Sequence, residues 1–385
     1  MNIRKVCVVV TARPSYSRIK TALEAINDHP LLELQLVIGA SALLDKYGKA
    51  IDYIENDGFK INKKIYSVIE GEELTTMAKT TGLSLIEIAT VFDNLTPDVI
   101  LTIADRYETI ATAIAASYMN IPVIHIQGGE VTGSIDEKVR HAVTKLSNIH
   151  FVSNKKAAER VIKMGEMNDT VFVTGCPSID IASRIDSVYC SQFDPIKKYG
   201  GVGADVNLEN GYVVVMQHPV TTEYKLAREQ VEETLNAVKD LDFPVLWFWP
   251  NVDAGSDGTS KGLRSFREHG PNLNIRFFKN MEPTDFLVLL KNSKVIIGNS
   301  SVAIRECSYL GVPAVNIGTR QNNRQRGKNV IDVSSDANKI KKAIEFQIKN
   351  EHYPSENIYG DGTAGKKIAE LISTVDLEID KLLSY

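Results

Sequence analysis

Apolar and polar positions follow two rhythms along the chain, and each rhythm predicts its own type of element. Short runs rich in β-branched residues predict buried strands, and longer stretches with apolar residues three or four positions apart predict amphipathic helices. The predicted strands of the first half are residues 4–10, 33–38, 61–66, 98–103, 122–126, 149–152 and 170–173. The predicted helices between them are residues 16–28, 74–94, 107–119, 135–147 and 154–164. This alternation predicts a parallel sheet with helices on both faces.

A second series of the same kind predicts a second domain. Its strands are expected at residues 212–216, 244–249, 274–278, 294–297, 313–316 and 329–333. Between the two series the pattern weakens and ends in a Gly- and Asn-rich stretch, which is typical of a domain boundary. The predicted division is an N-terminal domain of residues 1–176, a linker region of 177–210, a C-terminal domain of 211–362 and a terminal helix of 363–385. The fold class is α/β, with a cleft between two doubly wound sheets, and the terminal helix can pack back on the N-terminal domain.

Composition and charge narrow the function. A chain of 385 residues exceeds what one core usually supports, and its 43% hydrophobic content is ordinary for a globular protein. The formal net charge is -4 and there is no basic block, so we expect neither nucleic acid nor a membrane as partner. The apolar run at residues 6–10 is too short for a secretion signal. The four cysteines lie far apart without metal-site spacing, so we expect a reduced, cytoplasmic protein without a metal.

The sequence VIIGNSSVAIRECSYLG, residues 295–311, has the pattern of a buried strand, a glycine turn and a helix capped by Ser300 and Ser301. The first turn of such a helix exposes N–H groups and the positive end of the dipole, so it is suited to bind phosphate. Glu306 would lie one to two turns into that helix, where its carboxylate could bind the two hydroxyls of a ribose. The pattern predicts a nucleotide site, unless the serines only cap the helix and Glu306 pairs with Arg305.

Two loops that follow predicted strands of the first half carry further candidates, because ligands of open α/β sheets bind at these loops. Arg13 and Ser17 follow the first strand, and the planar guanidinium of Arg13 suits a diphosphate. Asp105 and Arg106 follow the strand at residues 98–103, at the usual position of catalytic groups. The alternative is an exposed arginine, a serine cap and solvated acids at a helix start.

The loop HIQGGE and the helix after it form the densest acid/base cluster of the chain. It contains an imidazole, an amide, two carboxylates and a guanidinium. These groups belong to His125, Gln127, Glu130, Asp136 and Arg140. An ordinary ion pair between Asp136 and Arg140, four positions apart on a helix, is the alternative interpretation.

The second series of strands carries a matching set of polar loops. His218 follows its first strand, Asn251 follows its second, and Arg320 begins a loop with four basic residues before Asn329. That loop is either a solvated tip or a cover on a bound anion. No Gly-x-Gly-x-x-Gly follows the first strand, and there is neither a Walker A sequence nor a Gly-x-Ser-x-Gly elbow. Nicotinamide dehydrogenases, P-loop nucleotidases and α/β-hydrolases are therefore disfavoured.

Together these motifs resemble those of the hydrolysing UDP-N-acetylglucosamine 2-epimerases of sialic-acid-type pathways, which include bacterial enzymes and the epimerase half of the vertebrate bifunctional enzyme. The resemblance covers nearly the whole chain. The matching motifs, in the order of the family, are ARPSYS, ADRYET, HIQGGEVTGSIDEKVRHAVTKLS, VTGCPSID, QHPVTTE, PNVDAGS, GNSSVAIRE, LGVPAVNIGTRQ and IYGDG. It implies a GT-B arrangement of two Rossmann-like domains, with UDP in the cleft and held mostly by the second domain.

The resemblance also implies chemistry and site residues. The implied reaction is anti elimination of UDP to a 2-acetamidoglucal, followed by addition of water to give the C2-inverted free sugar. The residues expected to bind UDP are Arg13, Ser17, His218, Asn251, Met281, Ser300, Ser301, Glu306 and Arg320. The residues expected to serve catalysis or position the sugar are Asp105, Arg106, His125, Gln127, Glu130, Asp136 and Arg140. We expect a UDP-sugar substrate, UDP as product, no cofactor, and a homodimer or homotetramer.

The sequence departs from the vertebrate-like branch at three positions. Ala42 and Ile103 stand where that branch carries histidines, and Gln127 stands where it carries a glutamate. Because an amide is not a base, removal of the C2 proton would fall to a carboxylate. The candidates are Asp105, Glu130 and Asp136. The apolar Ala42 and Ile103 would suit a 2,4-diacetamido-2,4,6-trideoxy sugar nucleotide, as used for legionaminic acid, so this substrate is an alternative to UDP-N-acetylglucosamine.

Three other functions stay open on the sequence alone. A non-hydrolysing epimerase would add UDP back to the intermediate, and a glycosyltransferase on the same scaffold would need an acceptor. A binding module for nucleotide sugars would hold UDP without turnover, which the amide of Gln127 would allow.

Overall fold

The computed structural model describes residues 3–71, 73–103, 106–133, 135–185, 187–250, 255–269, 274–350 and 352–384. The chain forms two compact units. Unit 1 consists of Met1–Glu130, Ile135–Ser183 and Tyr359–Tyr385, and unit 2 consists of Val131–Ser134 and Arg184–Ile358. The region predicted as a linker, residues 177–210, is instead divided between the two units. No helix within these described ranges has both the length and the apolar content needed to cross a bilayer.

Unit 1 contains a seven-stranded parallel sheet. Its strands are β1 Arg4–Val10, β2 Leu32–Gly39, β3 Ile61–Ile65, β4 Val99–Ile103, β5 Val123–Ile126, β6 Ile149–Val152 and β7 Val171–Val173. Their order is β3-β2-β1-β4-β5-β6-β7. The order reverses between β1 and β4, and in such sheets ligands bind beyond the carboxyl ends of the strands at that point.

The helices of unit 1 cover this sheet. They are α1 Arg13–Ser17, α2 Lys20–Asn27, α3 Ala50–Asn56, α4 Leu74–Leu95, α5 Ile110–Tyr118, α6 Ile135–Leu146, α7 Lys155–Lys163, α8 Pro177–Ser183 and, at the far end of the chain, α16 Ala364–Thr374. The helix predicted at residues 16–28 is divided into α1 and α2, because Ile19 leaves helical geometry with φ -127° and ψ -10°. The helix predicted at 107–119 begins as a 3₁₀ turn, Tyr107–Thr109.

Helix α16 completes the core of unit 1 by packing on α2. Ile368 and Ile372 lie in the same buried cluster as Leu23 of α2. The carboxylate of Asp180, on α8, accepts hydrogen bonds from the first N–H groups of α16, Ala364 at 2.9 Å and Gly365 at 2.7 Å. This buried cap fixes the start of α16, whose N–H groups would otherwise lack partners.

Unit 2 contains a second seven-stranded sheet. Its strands are β8 Val202–Gly203, β9 Val213–Met216, β10 Val245–Phe248, β11 Ile275–Phe278, β12 Val295–Gly298, β13 Ala314–Ile317 and β14 Val330–Val333, in the order β14-β13-β12-β9-β10-β11-β8. The strands are parallel except β8, which pairs antiparallel with β11 at the edge. Strand β8 was not predicted, because its two exposed residues lie in a glycine-rich stretch.

The helices of unit 2 are α9 Ser187–Gln192, α10 Pro195–Tyr199, α11 Ala227–Val238, α12 Ser256–His269, α13 Pro283–Lys291, α14 Glu306–Leu310 and α15 Ala337–Lys349. Helices α9 and α10 belong to the predicted linker, yet they are fixed to α13 by the buried carboxylate of Asp285. Its two oxygens accept hydrogen bonds from the hydroxyls of Tyr189 and Tyr199, and Lys198 pairs with it. The segment is therefore an ordered part of unit 2.

Candidate active site

Two arginines lie at the carboxyl edge of the unit 1 sheet, after the neighbouring strands β1 and β4. Arg13 begins α1 and is half-buried. Burial lowers the pKa of Arg13 to about 10, with Tyr53 acting to raise it and the charge of Arg106 to lower it further. The guanidinium of Arg13 therefore stays charged at neutral pH and lies within electrostatic range of Arg106. Ser17 donates its hydroxyl hydrogen to the Arg13 carbonyl at 3.3 Å, so it supports the turn that carries Arg13.

Arg106 is held by groups next to it in the sequence. Its Nε donates to Oε1 of Glu108 at 3.0 Å, and its guanidinium lies 5.4 Å from the ring centre of Tyr107. Arg106 is 4% exposed and Glu108 is 1% exposed, so this is a buried ion pair. The sequence pointed to the charged cluster but not to its burial. Asp105, the other candidate in this loop, lies outside the described residues.

The loop after β5 and the helix α6 that follows it carry four more candidates, of which Glu130 and Arg140 are in direct contact. Gln127 has a left-handed backbone, φ 65°, which is strained for a residue other than glycine. Its side-chain amide donates to Sγ of Cys176 at 2.8 Å. Glu130 is 4% exposed, and its carbonyl accepts a hydrogen bond from Nη1 of Arg140, itself 3% exposed, at 3.2 Å. Asp136 lies in the first turn of α6 and is half-buried. Nη1 of Arg140 also lies 3.8 Å from Oε2 of Glu137, so this buried guanidinium both supports the loop and pairs with a carboxylate of its own helix.

His125 lies behind this loop, inside the sheet. It is 0% exposed, and its Nδ1 lies 3.2 Å from the hydroxyl of Thr144. Burial lowers the pKa of His125 well below 6.5, and the nearby His150 and Arg140 lower it further. The imidazole is therefore neutral at pH 7. Because a Cβ on Gly128 would come within 3.1 Å of the His125 ring, the ring supports the loop from below. Its position favours a supporting role over the expected catalytic one.

A buried charge cluster that the sequence did not reveal lies beyond His125. Its centre is Glu166, which is 2% exposed and pairs with His150 at 3.0 Å, Lys145 at 2.7 Å and Lys381. Burial acts to raise the pKa of Glu166, but the hydrogen bonds from these three basic groups lower it to about 2. His150 lies beside His125 on the neighbouring strand β6. The cluster thus ties the chain near residue 381 to the support of the loop after β5.

Ala42 and Ile103, the two positions expected to make the sugar pocket less polar, are both in the core of unit 1. Their exposed fractions are 0% and 1%, and they belong to the same buried cluster as Tyr16 and Ile126. Neither side chain is exposed to solvent. A direct contact between either residue and a sugar is therefore not supported by their positions.

In unit 2 the loops after β9 and β12 are joined by Asn299. Its amide donates to the carbonyl of His218 at 2.8 Å and accepts from the His218 N–H at 2.8 Å. Ser300 and Ser301 follow, and the Ser300 hydroxyl caps a 3₁₀ turn, Ser301–Ala303. His218, Ser300 and Ser301 are therefore brought together. Met281, after β11, is buried, and Asn251 lies outside the described residues.

The continuous helix predicted from Ser300 is not observed. A 3₁₀ turn takes its place, and α14 follows with only five residues before Gly311. Gly311 ends the helix in the left-handed conformation, φ 72°, and a Cβ there would lie 2.0 Å from the carbonyl oxygen of Tyr353, so only glycine fits at this position. Fewer aligned peptides give a weaker dipole, and hydroxyls and local N–H groups must supply more of any phosphate binding.

Glu306 is the first residue of α14 and is buried beside the serine turn. Its Oε1 lies 3.7 Å from Nη2 of Arg305, which also donates to the hydroxyl of Ser301 at 3.2 Å. Its Oε2 has no hydrogen-bond partner among the residues that the structure describes. A buried carboxylate oxygen without a donor is costly, so this oxygen is suited to accept hydrogen bonds from a ligand.

The basic loop after β13 is packed rather than a solvated tip. Arg320 and Gln321 donate to the carbonyl of Asn299, at 3.2 Å and 2.9 Å. The loop also binds residues 131–133, since the Gly133 N–H donates to the Arg320 carbonyl at 2.8 Å and Nε of Arg324 donates to the Val131 carbonyl at 3.1 Å. Arg320 therefore lies next to the serine turn, as a cover on a bound anion requires.

The family model for UDP-N-acetylglucosamine 2-epimerase matches residues 24–373. The chain belongs to the UDP-N-acetylglucosamine 2-epimerase family. This confirms the resemblance drawn from the motifs.

Members of this 2-epimerase family match the chain over almost its whole length. The UDP-N,N'-diacetylbacillosamine 2-epimerase (hydrolyzing) of Legionella pneumophila is 32% identical over 375 residues, 97% of each chain. The UDP-N-acetylglucosamine 2-epimerase of Neisseria meningitidis serogroup B is 28% identical over 374 residues, 96% of this chain and 95% of that one. A crystal structure of UDP-GlcNAc 2-epimerase from Neisseria meningitidis bound to UDP-GlcNAc has a TM-score of 0.77, 19% identity, and coverage of 96% and 99%. The predicted fold class, GT-B-like with two Rossmann-like units, is confirmed.

Proposed function

We propose that this family member is a hydrolysing 2-epimerase that converts a UDP-N-acetylglucosamine-type sugar nucleotide into UDP and the free C2-inverted sugar. The observation that carries the proposal is the buried carboxylate of Glu306 beside the serine turn. One of its oxygens has no hydrogen-bond partner among the described residues. A ribose offers two adjacent hydroxyl donors to such a carboxylate, while the hydroxyls of Ser300 and Ser301 suit phosphate oxygens. The family and the hydrolysing relative at 32% identity support the same substrate class.

Departure of UDP is the step that needs cations. When the bond between C1 and the diphosphate oxygen breaks, negative charge grows on the diphosphate, and groups held in place to meet that charge lower the barrier. We assign this task to Arg13 and Arg106 of unit 1 and Arg320 of unit 2. A guanidinium binds phosphate through two parallel N–H donors. Loss of one such donor typically costs about 10²–10³-fold in turnover.

Removal of the C2 proton needs a base, and Gln127 cannot supply one. Its amide nitrogen donates to Cys176, so this side chain serves the loop. We assign the acid/base work to the carboxylates of Glu130, Asp136 and Asp105. In the first step the C2 proton moves to a carboxylate as UDP leaves, which forms the glycal. In the second step water adds its hydroxyl to C1, and C2 receives a proton on the opposite face, which inverts that carbon.

Two sugars are candidates for the substrate. The relative at 32% identity is named for UDP-N,N'-diacetylbacillosamine and the relative at 28% identity for UDP-N-acetylglucosamine. The product would be a precursor of the legionaminic type in the first case and of the sialic type in the second. The buried positions of Ala42 and Ile103 do not favour either sugar.

The test is incubation of the purified protein with each sugar nucleotide in deuterated water. We expect UDP, measured by chromatography, to accumulate in equal amount to a free sugar that carries one deuterium at C2 by NMR. A C2-inverted UDP-sugar without accumulation of UDP would indicate a non-hydrolysing epimerase. Release of UDP only with an added acceptor would indicate a glycosyltransferase, and binding of UDP without turnover would indicate a binding module.

A further inference from the structure

The buried ion pair between Arg106 and Glu108 is unusual for its local geometry. Residues two positions apart do not face each other on a helix, but here Arg106 is extended, with φ -141° and ψ 152°, and the 3₁₀ turn of residues 107–109 follows at once. The carbonyl of Arg106 accepts hydrogen bonds from both the N–H and the hydroxyl of Thr109, at 3.1 Å and 2.6 Å. The backbone on both sides of the pair is therefore fixed, and the turn packs against α4, α5 and α6.

Stability alone does not explain this pair. Arg106 is 4% exposed and Glu108 is 1% exposed, so both charges have lost nearly all of their water. The cost of removing two charges from water usually cancels their attraction, and a pair of apolar side chains of similar volume would stabilise the fold as well or better. Oε2 of Glu108 also lacks a hydrogen-bond partner within the described part of the chain. The pair is therefore better explained by its effect on the orientation of the Arg106 side chain.

Arg106 lies close to another positive charge at this edge of the sheet. Its positive charge is near enough to Arg13 to lower the pKa of that residue. Two like charges repel, and a long arginine side chain without a partner would turn away from its neighbour. Glu108 offsets this repulsion and holds the Nε edge of Arg106 at 3.0 Å, while Tyr107 covers one face of the guanidinium. Both guanidiniums can then stay at the edge where an anion with two phosphates would bind.

We propose that Glu108 is a positioning residue, which holds Arg106 in the orientation that meets the diphosphate as UDP leaves. This inference rests on the proposed function. Glu108 itself does not contact the substrate, and it acts through the guanidinium of Arg106. Its contribution is preorganisation, which matters most when charge develops on the leaving group.

The test is the variant Glu108→Gln, which keeps the size of the side chain and an acceptor for Nε but removes the charge. We expect kcat/KM for the sugar nucleotide to fall at least ~10-fold, with kcat taking the larger share, because the lost interaction strengthens in the transition state. The matched control is Glu55→Gln in the same unit, which breaks the exposed ion pair with Lys64 at 2.9 Å. We expect its kinetics to equal those of the wild type.

A double-mutant cycle separates positioning from a purely structural role. If Glu108 acts through Arg106, Glu108→Gln should change kcat/KM less than ~2-fold when Arg106 is already Ala. Equal losses in both backgrounds, or wild-type kinetics of a folded Glu108→Gln protein, would overturn the inference while the proposed function stands. If the wild type releases no UDP, the proposed function fails and the inference fails with it. Thermal melting checks folding, and if Glu108→Gln is unfolded, Glu108→Asp takes its place, with a smaller loss of kcat/KM expected.

Discussion

Replacement of Glu306 by glutamine gives the sharpest test of the nucleotide site. The change keeps the shape of the side chain but replaces the carboxylate by an amide with a single acceptor oxygen. A ribose with two hydroxyl donors would lose one hydrogen bond to a charged group. Such bonds contribute about 1.5–3 kcal/mol. We therefore expect the Kd for UDP to rise by about 10–150-fold, since each 1.4 kcal/mol corresponds to tenfold.

Titration calorimetry with UDP and with 2',3'-dideoxy-UDP measures how much the ribose hydroxyls contribute to binding. The wild type should bind the dideoxy compound much more weakly than UDP, because Oε2 of Glu306 then loses its donor. The Glu306→Gln protein should distinguish the two ligands far less. If both proteins show the same ratio of affinities, Glu306 does not bind the ribose. If UDP affinity is unchanged by the substitution, the assignment of Glu306 to the nucleotide fails.

Three further substitutions test other parts of the molecule. Glu130→Gln should lower kcat at least ~100-fold and leave the Kd for UDP nearly unchanged, as loss of an acid/base group does. An equal loss in UDP binding would show that Glu130 has a structural role instead. Glu166→Gln should cost about 3 kcal/mol of unfolding free energy at pH 7 in urea titrations. The pKa of Glu166 in the folded protein, about 2, lies below its ordinary value of 4.5, so the stability difference between the variant and the wild type should fade as pH falls from about 4.5 to 2. A difference that does not change with pH would show that the charge of Glu166 is not its cause. Gly133→Ala should weaken UDP binding ~10-fold, because the added Cβ would lie 2.0 Å from the carbonyl oxygen of Thr319. The control is Gly82→Ala, whose Cβ would have no atom within 4 Å, and this variant should bind UDP like the wild type.

Much of the fold could be predicted from local patterns. Most strands of the two sheets are short apolar runs, and the pattern that marks them does not depend on distant residues. Strand β8 and the start of α14 could not be read from local patterns. Gly311 is itself a local signal for the end of α14, whereas the start of α14 at Glu306, after the 3₁₀ turn, has no such signal in the sequence. The fixing of α9 and α10 depends on Asp285, about 90 positions further along the chain.

The candidate site was predictable in its residue types but less so in its burial. Charged residues are normally assumed to be solvated, so the burial of Arg106 with Glu108 could not be read from the motif. His125 had an available signal, because it lies within the apolar run of β5 and parallel strands are buried on both faces. Glu166 had none, since Lys381, one of its partners, is 215 positions away.

The return of α16 to unit 1 has a consequence for how the protein is made. A ribosome that has translated only as far as residue 358 has completed every strand of the first sheet and all of unit 2, yet α2 still lacks the helix that covers it. Leu23 then faces water until Ile368 and Ile372 emerge. The unit that starts first is therefore finished last, and during that interval its bare helix is the surface most open to proteases and to self-association.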